Sequence, residues 1–152
     1  MKPVIEKANL ENLDEILNLF KSTIEISCSK DYNKAQISAW TSSIENKERW
    51  ILKIKSQYFI VVKLQNKIIG FGSLENNYLD FLFVDSSFLR KGIATLIYTN
   101  LKEQSEKLGF KSLTTYSSKT AFPFFKSKGF KVVKENTIIR NEVEITNFEM
   151  TQ

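Results

Sequence analysis

Hydrophobic positions along this chain follow two spacings, which predict helices and strands in a mixed order. In residues 13–24 and 93–108 apolar side chains recur every three or four positions, as on a helix with one buried face. Three β-rich runs, at Tyr58–Leu64, residues 68–74 and Tyr78–Val84, are separated by short polar turns. These runs predict an antiparallel meander in the middle of the chain.

The remaining segments extend the same alternation. Asn12 followed three positions later by Glu15 is typical of a capping box and predicts where the first helix begins. The segment 112–116 follows a helix, so we expect it to return parallel to the strand Tyr78–Val84. The other predicted elements are a strand at 4–7, helices at 35–42, 45–54 and 121–128, a strand at 130–133, and a strand pair at 138–150 that turns around Asn141.

Composition limits the classes of protein that fit. The chain has 152 residues, 42% of them hydrophobic, which predicts a single domain over 1–152. We find no secretory signal and no apolar run of the ~20 residues that a membrane helix needs, so a cytoplasmic protein without membrane contact is expected. One cysteine and no histidine leave no disulfide and no His-based nucleophile or metal site. The net charge of +5 is too dispersed to predict nucleic-acid binding.

A basic turn precedes the helix at 93–108. The first amides of a helix have no intrahelical partner and lie at its positive end, where an anion binds well. Gly92 allows close approach of the backbone, and Arg90 and Lys91 add charge. The turn therefore predicts a pyrophosphate site, although a glycine that only closes a turn remains an alternative. Neither a Walker loop nor a three-glycine dinucleotide fingerprint fits this spacing.

Two motifs in this half of the chain resemble those of the GNAT superfamily of N-acetyltransferases. The acetyl-CoA loop of that family, Gln/Arg-x-x-Gly-x-Gly/Ala, is matched by Leu89-Arg90-Lys91-Gly92-Ile93-Ala94. The second motif, Asn-x-x-Ala-x-x-Phe-Tyr followed by Gly-Phe, is matched by residues 118–125 with Gly129-Phe130. Leu89, Ser118 and Phe125 depart from the family pattern. The C-terminal segment resembles a bacterial small single-domain branch whose substrates are unassigned.

The resemblance implies a fold and a co-substrate. We expect an α+β, three-layer fold, in which helices flank a mixed, mostly antiparallel sheet of about seven strands with one splayed parallel pair. Acetyl-CoA would bind with its pantetheine arm in the splay and its diphosphate on the basic turn, without a metal. The residues assigned to the coenzyme are Leu82, Phe83, Val84, Leu89, Arg90, Lys91, Gly92, Ile93, Ala94, Thr95, Ser118, Phe124 and Phe125.

The resemblance also implies direct attack of an amine on the thioester in a ternary complex, which needs a base. Asp80 is the predicted base, because strict alternation would place it on the same face as Leu82 and Val84, and Glu75 is the reserve. A solvated or salt-bridged acid at the strand edge is the alternative for Asp80. Phe125 has no hydroxyl, so Tyr116 is the predicted general acid. The candidates for lining the acceptor site are two aromatic residues of the N-terminal half, Tyr32 and Trp40, and ordinary core packing is the alternative for each.

Three functions remain open at this point. The leading hypothesis is an N-acetyltransferase that acts on a primary amine of a small molecule. The alternatives are a protein or peptide N-acetyltransferase and a non-catalytic acyl-CoA-binding module. A homodimer is a further open alternative, and the sequence does not identify the acceptor.

Overall fold

The computed structural model describes residues 2–152, which form seven strands and five α-helices. The strands are β1 Val4–Lys7, β2 Tyr58–Leu64, β3 Lys67–Glu75, β4 Tyr78–Val84, β5 Thr114–Ser117, β6 Lys131–Arg140 and β7 Val143–Thr151. The helices are α1 Leu13–Ser27, α2 Lys34–Thr41, α3 Lys47–Ser56, α4 Ile93–Lys107 and α5 Phe122–Ser127.

All seven strands belong to one sheet, in the order β1-β2-β3-β4-β5-β7-β6. Only β4 and β5 run parallel, and every other neighbouring pair is antiparallel. The crossover through α4 makes this parallel return, since two parallel strands need a long connection. The predicted mixed sheet with one parallel pair is confirmed.

Each face of the sheet carries its own hydrophobic cluster. Phe20 of α1 and Phe71 of β3 belong to the cluster under α1, α2 and α3, while Ile97 of α4 belongs to the cluster under α4 and α5. Gly72 of β3 lets α4 lie close to the sheet, because a Cβ added there would lie 2.5 Å from the Ile97 Cγ2 atom. The sheet is therefore the middle of three layers.

The start of the first helix differs from the prediction. The capping box lies three residues earlier, at a short 3₁₀ turn that precedes α1: the Asn9 side chain accepts from the Glu11 N–H, and the Asn12 side chain accepts from the Asn9 N–H at 2.9 Å. Glu15 instead reaches across to β3, where its Oε2 atom accepts from the Ile68 N–H at 2.7 Å. The predicted pair Asn12 and Glu15 therefore forms no capping box, and Glu15 makes a long-range contact instead.

The C-terminal strands are longer than predicted. Residues 130–133 and 138–140 were expected in separate strands, but the structure places 131–140 in one strand, β6, paired with β7 along its length. The turn around Asn141 is confirmed, and Asn141 and Glu142 both have positive φ, at 50° and 65°. No helix within residues 2–152 is both long enough and apolar enough to cross a membrane.

Candidate functional site

The parallel strands β4 and β5 touch only at one end. Their register pairs Tyr78 with Thr114 and Leu79 with Thr115, and the Thr115 hydroxyl donates to the Leu79 carbonyl at 2.8 Å. Beyond Leu79, β4 stays paired with β3 but has no strand on its other edge in the described chain. The two strands therefore diverge, and main-chain groups of residues 82–84 border the gap.

A β-bulge in β4 lies at the point where the strands part. The register pairs Phe81 with Ser73 and Leu79 with Leu74, so Asp80 is an extra residue without a partner on β3. A bulge turns the following side chains and increases the local twist. Here it resets the in-and-out alternation of the strand.

The bulge changes the predicted position of Asp80. Leu82 and Val84 pack in the α4-side cluster. Asp80 is bonded instead to α3 on the opposite face: Lys53 Nζ lies 2.7 Å and Gln57 Nε2 2.9 Å from the Asp80 Oδ2 atom. The prediction that Asp80 shares the face of Leu82 and Val84 is therefore wrong, because strict alternation does not survive an inserted residue. The Asp80–Lys53 ion pair is well shielded, with side chains 11% and 18% exposed.

Two tyrosines stand beside Asp80 at the same end of the gap. Burial, and then the negative charge of Asp80, raise the pKa of Tyr78 above its ordinary value. Its ring lies 6.0 Å from that of Tyr116, measured between centroids, and Tyr116 is 47% exposed. Tyr78 therefore keeps its proton at neutral pH. The neighbouring Tyr116 is exposed, so this end of the gap is open to solvent.

A pocket of about 220 Å³ opens at this gap. Aromatic side chains from α1, α3 and β4, including Phe20, Trp50 and Phe81, form much of its wall. The structure brings eight of the predicted site residues to it, namely Asp80, Tyr116, Leu82, Phe83, Ser118 and Phe125, together with Tyr32 and Trp40, whereas residues 89–95 of the basic turn lie outside it. Glu75, Val84 and Phe124 do not line it, and Glu75 is exposed at the end of β3.

Tyr32 also has a structural part in this wall. Its hydroxyl donates to the Thr146 carbonyl at 2.7 Å and accepts from the Lys119 N–H at 2.9 Å. Its ring lies 5.4 Å from that of Trp40. Burial raises the pKa of Tyr32 despite the Lys119 hydrogen bond. Tyr32 therefore joins β7 to the loop before α5 while it borders the pocket.

Several pocket residues were not anticipated from the sequence. Tyr78, Arg49, Lys53 and Arg140 all line the pocket. Arg49 and Lys53 are four residues apart, which puts them on one side of α3, and Tyr78 lies two positions before Asp80. These spacings are local signals that could have been noticed, whereas no local pattern points to Arg140 at the end of β6.

The basic turn has the geometry of an open helix start. Gly92 has φ 82° and caps α4, and Arg90 has φ 61°. The Leu96 N–H already bonds the Gly92 carbonyl at 3.0 Å, but within residues 2–152 no acceptor is found for the N–H groups of residues 93–95. A Cβ added at Gly92 would meet no atom within 4 Å. The first amides of α4 are thus free to bind an anion.

The second motif forms the other side of the gap. Ser118 accepts a hydrogen bond from the Ala121 N–H at 3.0 Å, so this side chain begins the turn into α5. Phe125 is 4% exposed and packs edge to face on Phe130, with centroids 5.1 Å apart. The ring of Phe125 is thus fixed at the pocket wall and offers no hydroxyl.

Comparison with known proteins shows similarity over the whole fold. Residues 28–152 match the family model described as an acetyltransferase (GNAT) domain. The chain is 33% identical to YafP of Escherichia coli, an uncharacterised N-acetyltransferase, over 91% of this chain and 88% of YafP.

Solved structures agree with this similarity. A GCN5-related N-acetyltransferase from Rhodopseudomonas palustris superposes with a TM-score of 0.96 at 24% identity, over 100% of this chain and 96% of the other. The PaiA N-acetyltransferase from Thermoplasma acidophilum, solved in complex with coenzyme A, gives a TM-score of 0.84 at 19% identity, over 100% and 99%. Both likenesses concern the fold.

Proposed function

This chain belongs to the GNAT acetyltransferase family and is an acyltransferase, and we propose that it transfers an acetyl group from acetyl-CoA to a primary amine of a small molecule. The observation that carries the proposal is the gap between β4 and β5. It joins an open helix start on one side to a pocket that contains a carboxylate on the other.

Acetyl-CoA fits this gap by its chemistry. The pantetheine arm contains two amides, which can replace the strand that β4 lacks at residues 82–84. The diphosphate would bind the free N–H groups of residues 93–95, with Arg90 and Lys91 nearby. The complex of the Thermoplasma PaiA enzyme with coenzyme A supports this choice of co-substrate.

The chemistry we propose is direct attack of the amine on the thioester carbonyl. An alkylammonium must first lose a proton, and Asp80 is the one acidic side chain among the described residues that line the pocket. Lys53 and Gln57 both donate to its Oδ2 atom, so we assign Oδ1 to the amine. When the tetrahedral intermediate collapses, the C–S bond breaks and coenzyme A leaves as a thiolate.

A tyrosine is the proposed proton donor to this thiolate. Tyr78 holds its proton firmly, because burial and Asp80 oppose ionisation of the phenol. Tyr116 is more exposed and lies beside it. Because a raised pKa makes the Tyr78 phenol a weaker acid, we propose Tyr116 as the donor and assign Tyr78 to packing beside it.

The size and walls of the pocket favour a small acceptor over a peptide. A volume of about 220 Å³ suits a small amine better than a peptide chain. Trp50 is buried and stacks on Phe81 with ring centroids 4.8 Å apart, and this pair fills one wall. A peptide acceptor would need an open groove instead.

The test is release of coenzyme A from acetyl-CoA with a panel of polyamines, amino acids, aminoglycosides and peptides. We expect turnover with one class of small amine, and loss of most of that turnover in Asp80→Asn. Turnover with peptides alone would favour a peptide N-acetyltransferase. Binding of acetyl-CoA without turnover on any acceptor would contradict the proposal.

A further inference from the structure

The pocket carries more positive than negative charge. Lys53 is paired with Asp80, but Arg49 and Arg140 have no carboxylate within 4.0 Å among residues 2–152. Two cations that line one pocket repel each other, and an anion bound between or beside them would relieve this repulsion. The excess charge lies in the acceptor pocket, away from the diphosphate site at the start of α4.

Arg140 is held in place by its surroundings. It ends β6, and its neighbour Asn141 donates to the Ser42 hydroxyl at 3.1 Å, which ties the β6–β7 turn to the segment before α3. Its Nε atom is buried and has no hydrogen-bond partner within residues 2–152. A buried N–H without an acceptor is unfavourable, and a ligand oxygen would satisfy it.

Arg49 approaches from the opposite element. It lies in the first turn of α3, one residue before the buried Trp50, and is close enough to Tyr78 for its charge to oppose the rise in the Tyr78 pKa. Arg49 is exposed, so it is free to turn toward a ligand at the pocket. Guanidinium groups from α3 and β6 thus line one cavity, and such groups match the two oxygens of a carboxylate.

We propose that the acceptor amine carries a carboxylate, as an amino acid does, and that Arg140 binds this carboxylate with help from Arg49. The inference rests on the proposed acetyl transfer and names the substrate class of that same pocket. The amine would lie toward Asp80 at the gap, and the carboxylate would lie toward the β6–β7 turn. The preference would come from binding, since neither arginine takes part in the proton transfers proposed above.

Matched acceptors test this directly. Phenylalanine with phenethylamine, leucine with isoamylamine, and lysine with cadaverine differ only by the carboxylate. We expect kcat/KM to be at least about tenfold higher for the acid in the preferred pair, as charge-assisted hydrogen bonds generally contribute. Equal use of both members, or preference for the decarboxylated amine in every pair, would overturn the inference. A comparison of O-phosphoethanolamine with ethanolamine tests whether the pocket prefers a phosphate to a carboxylate. A larger gain in kcat/KM from the phosphate than from the carboxylate would also overturn the inference.

Variants then assign the preference to named residues. Arg140→Gln should raise KM for the acid about tenfold or more, leave kcat within about twofold, and bring the ratio of the matched pair toward one. Arg140→Lys should recover part of the preference, and Arg49→Gln should show a smaller loss. Lys134→Gln, which removes a positive charge from the exposed part of the same strand, is the control and should leave kcat, KM and the ratio of the matched pair unchanged. A preference that survives Arg140→Gln would refute the assignment.

Binding of products separates the two proposals if turnover fails. The affinity of N-acetylphenylalanine and N-acetylphenethylamine for the protein with coenzyme A can be measured by calorimetry. Tighter binding of the acid that Arg140→Gln removes would support the carboxylate site even when acetyl transfer is not observed. Equal binding of both products would overturn the site, whereas turnover without a carboxylate preference would leave acetyl transfer intact.

Discussion

Replacement of Gly92 tests whether the start of α4 binds the diphosphate. The native φ of 82° disfavours any residue with a Cβ, but a Cβ at this position meets no atom within 4 Å. We therefore expect Gly92→Asn and Gly92→Asp to lose only about 1 to 2 kcal/mol of unfolding free energy from backbone strain. The aspartate should recover about 0.3 to 1 kcal/mol, because a negative charge is favourable at a helix N-terminus.

The effect on coenzyme A should have the opposite sign. A carboxylate about 4 Å from a phosphate charge raises the free energy of binding by roughly 1 kcal/mol in water and roughly 4 kcal/mol at an effective dielectric constant of 20. Because the turn is exposed, we expect Gly92→Asp to bind coenzyme A about tenfold more weakly than Gly92→Asn. The aspartate variant should thus be the more stable of the two and the weaker binder.

The assay is titration of coenzyme A by calorimetry, with urea denaturation of the free proteins beside it. Gly109 provides the matched control, because it has φ 93° and an equally open Cβ position at the other end of α4. That end is ~22 Å away. Gly109→Asp should leave the affinity for coenzyme A unchanged. It should lower stability more than Gly109→Asn does, because this end of α4 is the negative end of the helix dipole. Equal affinities of the two Gly92 variants would refute the placement of the diphosphate.

Four further outcomes are expected. Asp80→Asn should lower kcat by about a hundredfold or more while KM for acetyl-CoA stays within about twofold, as measured by steady-state kinetics; an unchanged kcat would remove it as the base. Phe125→Tyr should keep the fold and leave or raise kcat, because the ring borders the pocket; a drop in kcat above about tenfold would contradict this. Gly72→Ala should lower the free energy of unfolding by about 1 to 3 kcal/mol in urea titrations, since its Cβ would lie 2.5 Å from Ile97; unchanged stability would show that α4 moves away freely. Because the pKa of Tyr78 is raised in the folded protein, the unfolded chain loses this proton first, so the stability linked to it is complete below pH 10 and is lost as the pH rises further. In urea titrations Tyr78→Phe should therefore lose less unfolding free energy above pH 10 than the native protein does. Equal slopes of unfolding free energy against pH for the two proteins would argue against this.

Local pattern was sufficient for most of the fold. Spacing of apolar residues predicted α1 and α4, and β-rich runs predicted β2 and β4 with the bounds that the structure shows. The predictions failed where a distant residue competes with a local one. Glu15 bonds to β3 instead of its own helix start, and β6 continues through polar residues because β7 pairs with it along its length.

The candidate site shows the same division. The sequence alone determined the basic turn before α4 and the second motif, because a helix start with glycine is encoded by neighbouring residues. Tertiary structure decided where Asp80 points, since the bulge exists only through the register of β4 against β3. It also decided that Arg49 and Arg140 share a pocket with Asp80. Residues far apart in a sequence carry no mutual signal until the sheet and helices bring them together, and the charge of this pocket is therefore a property of the fold.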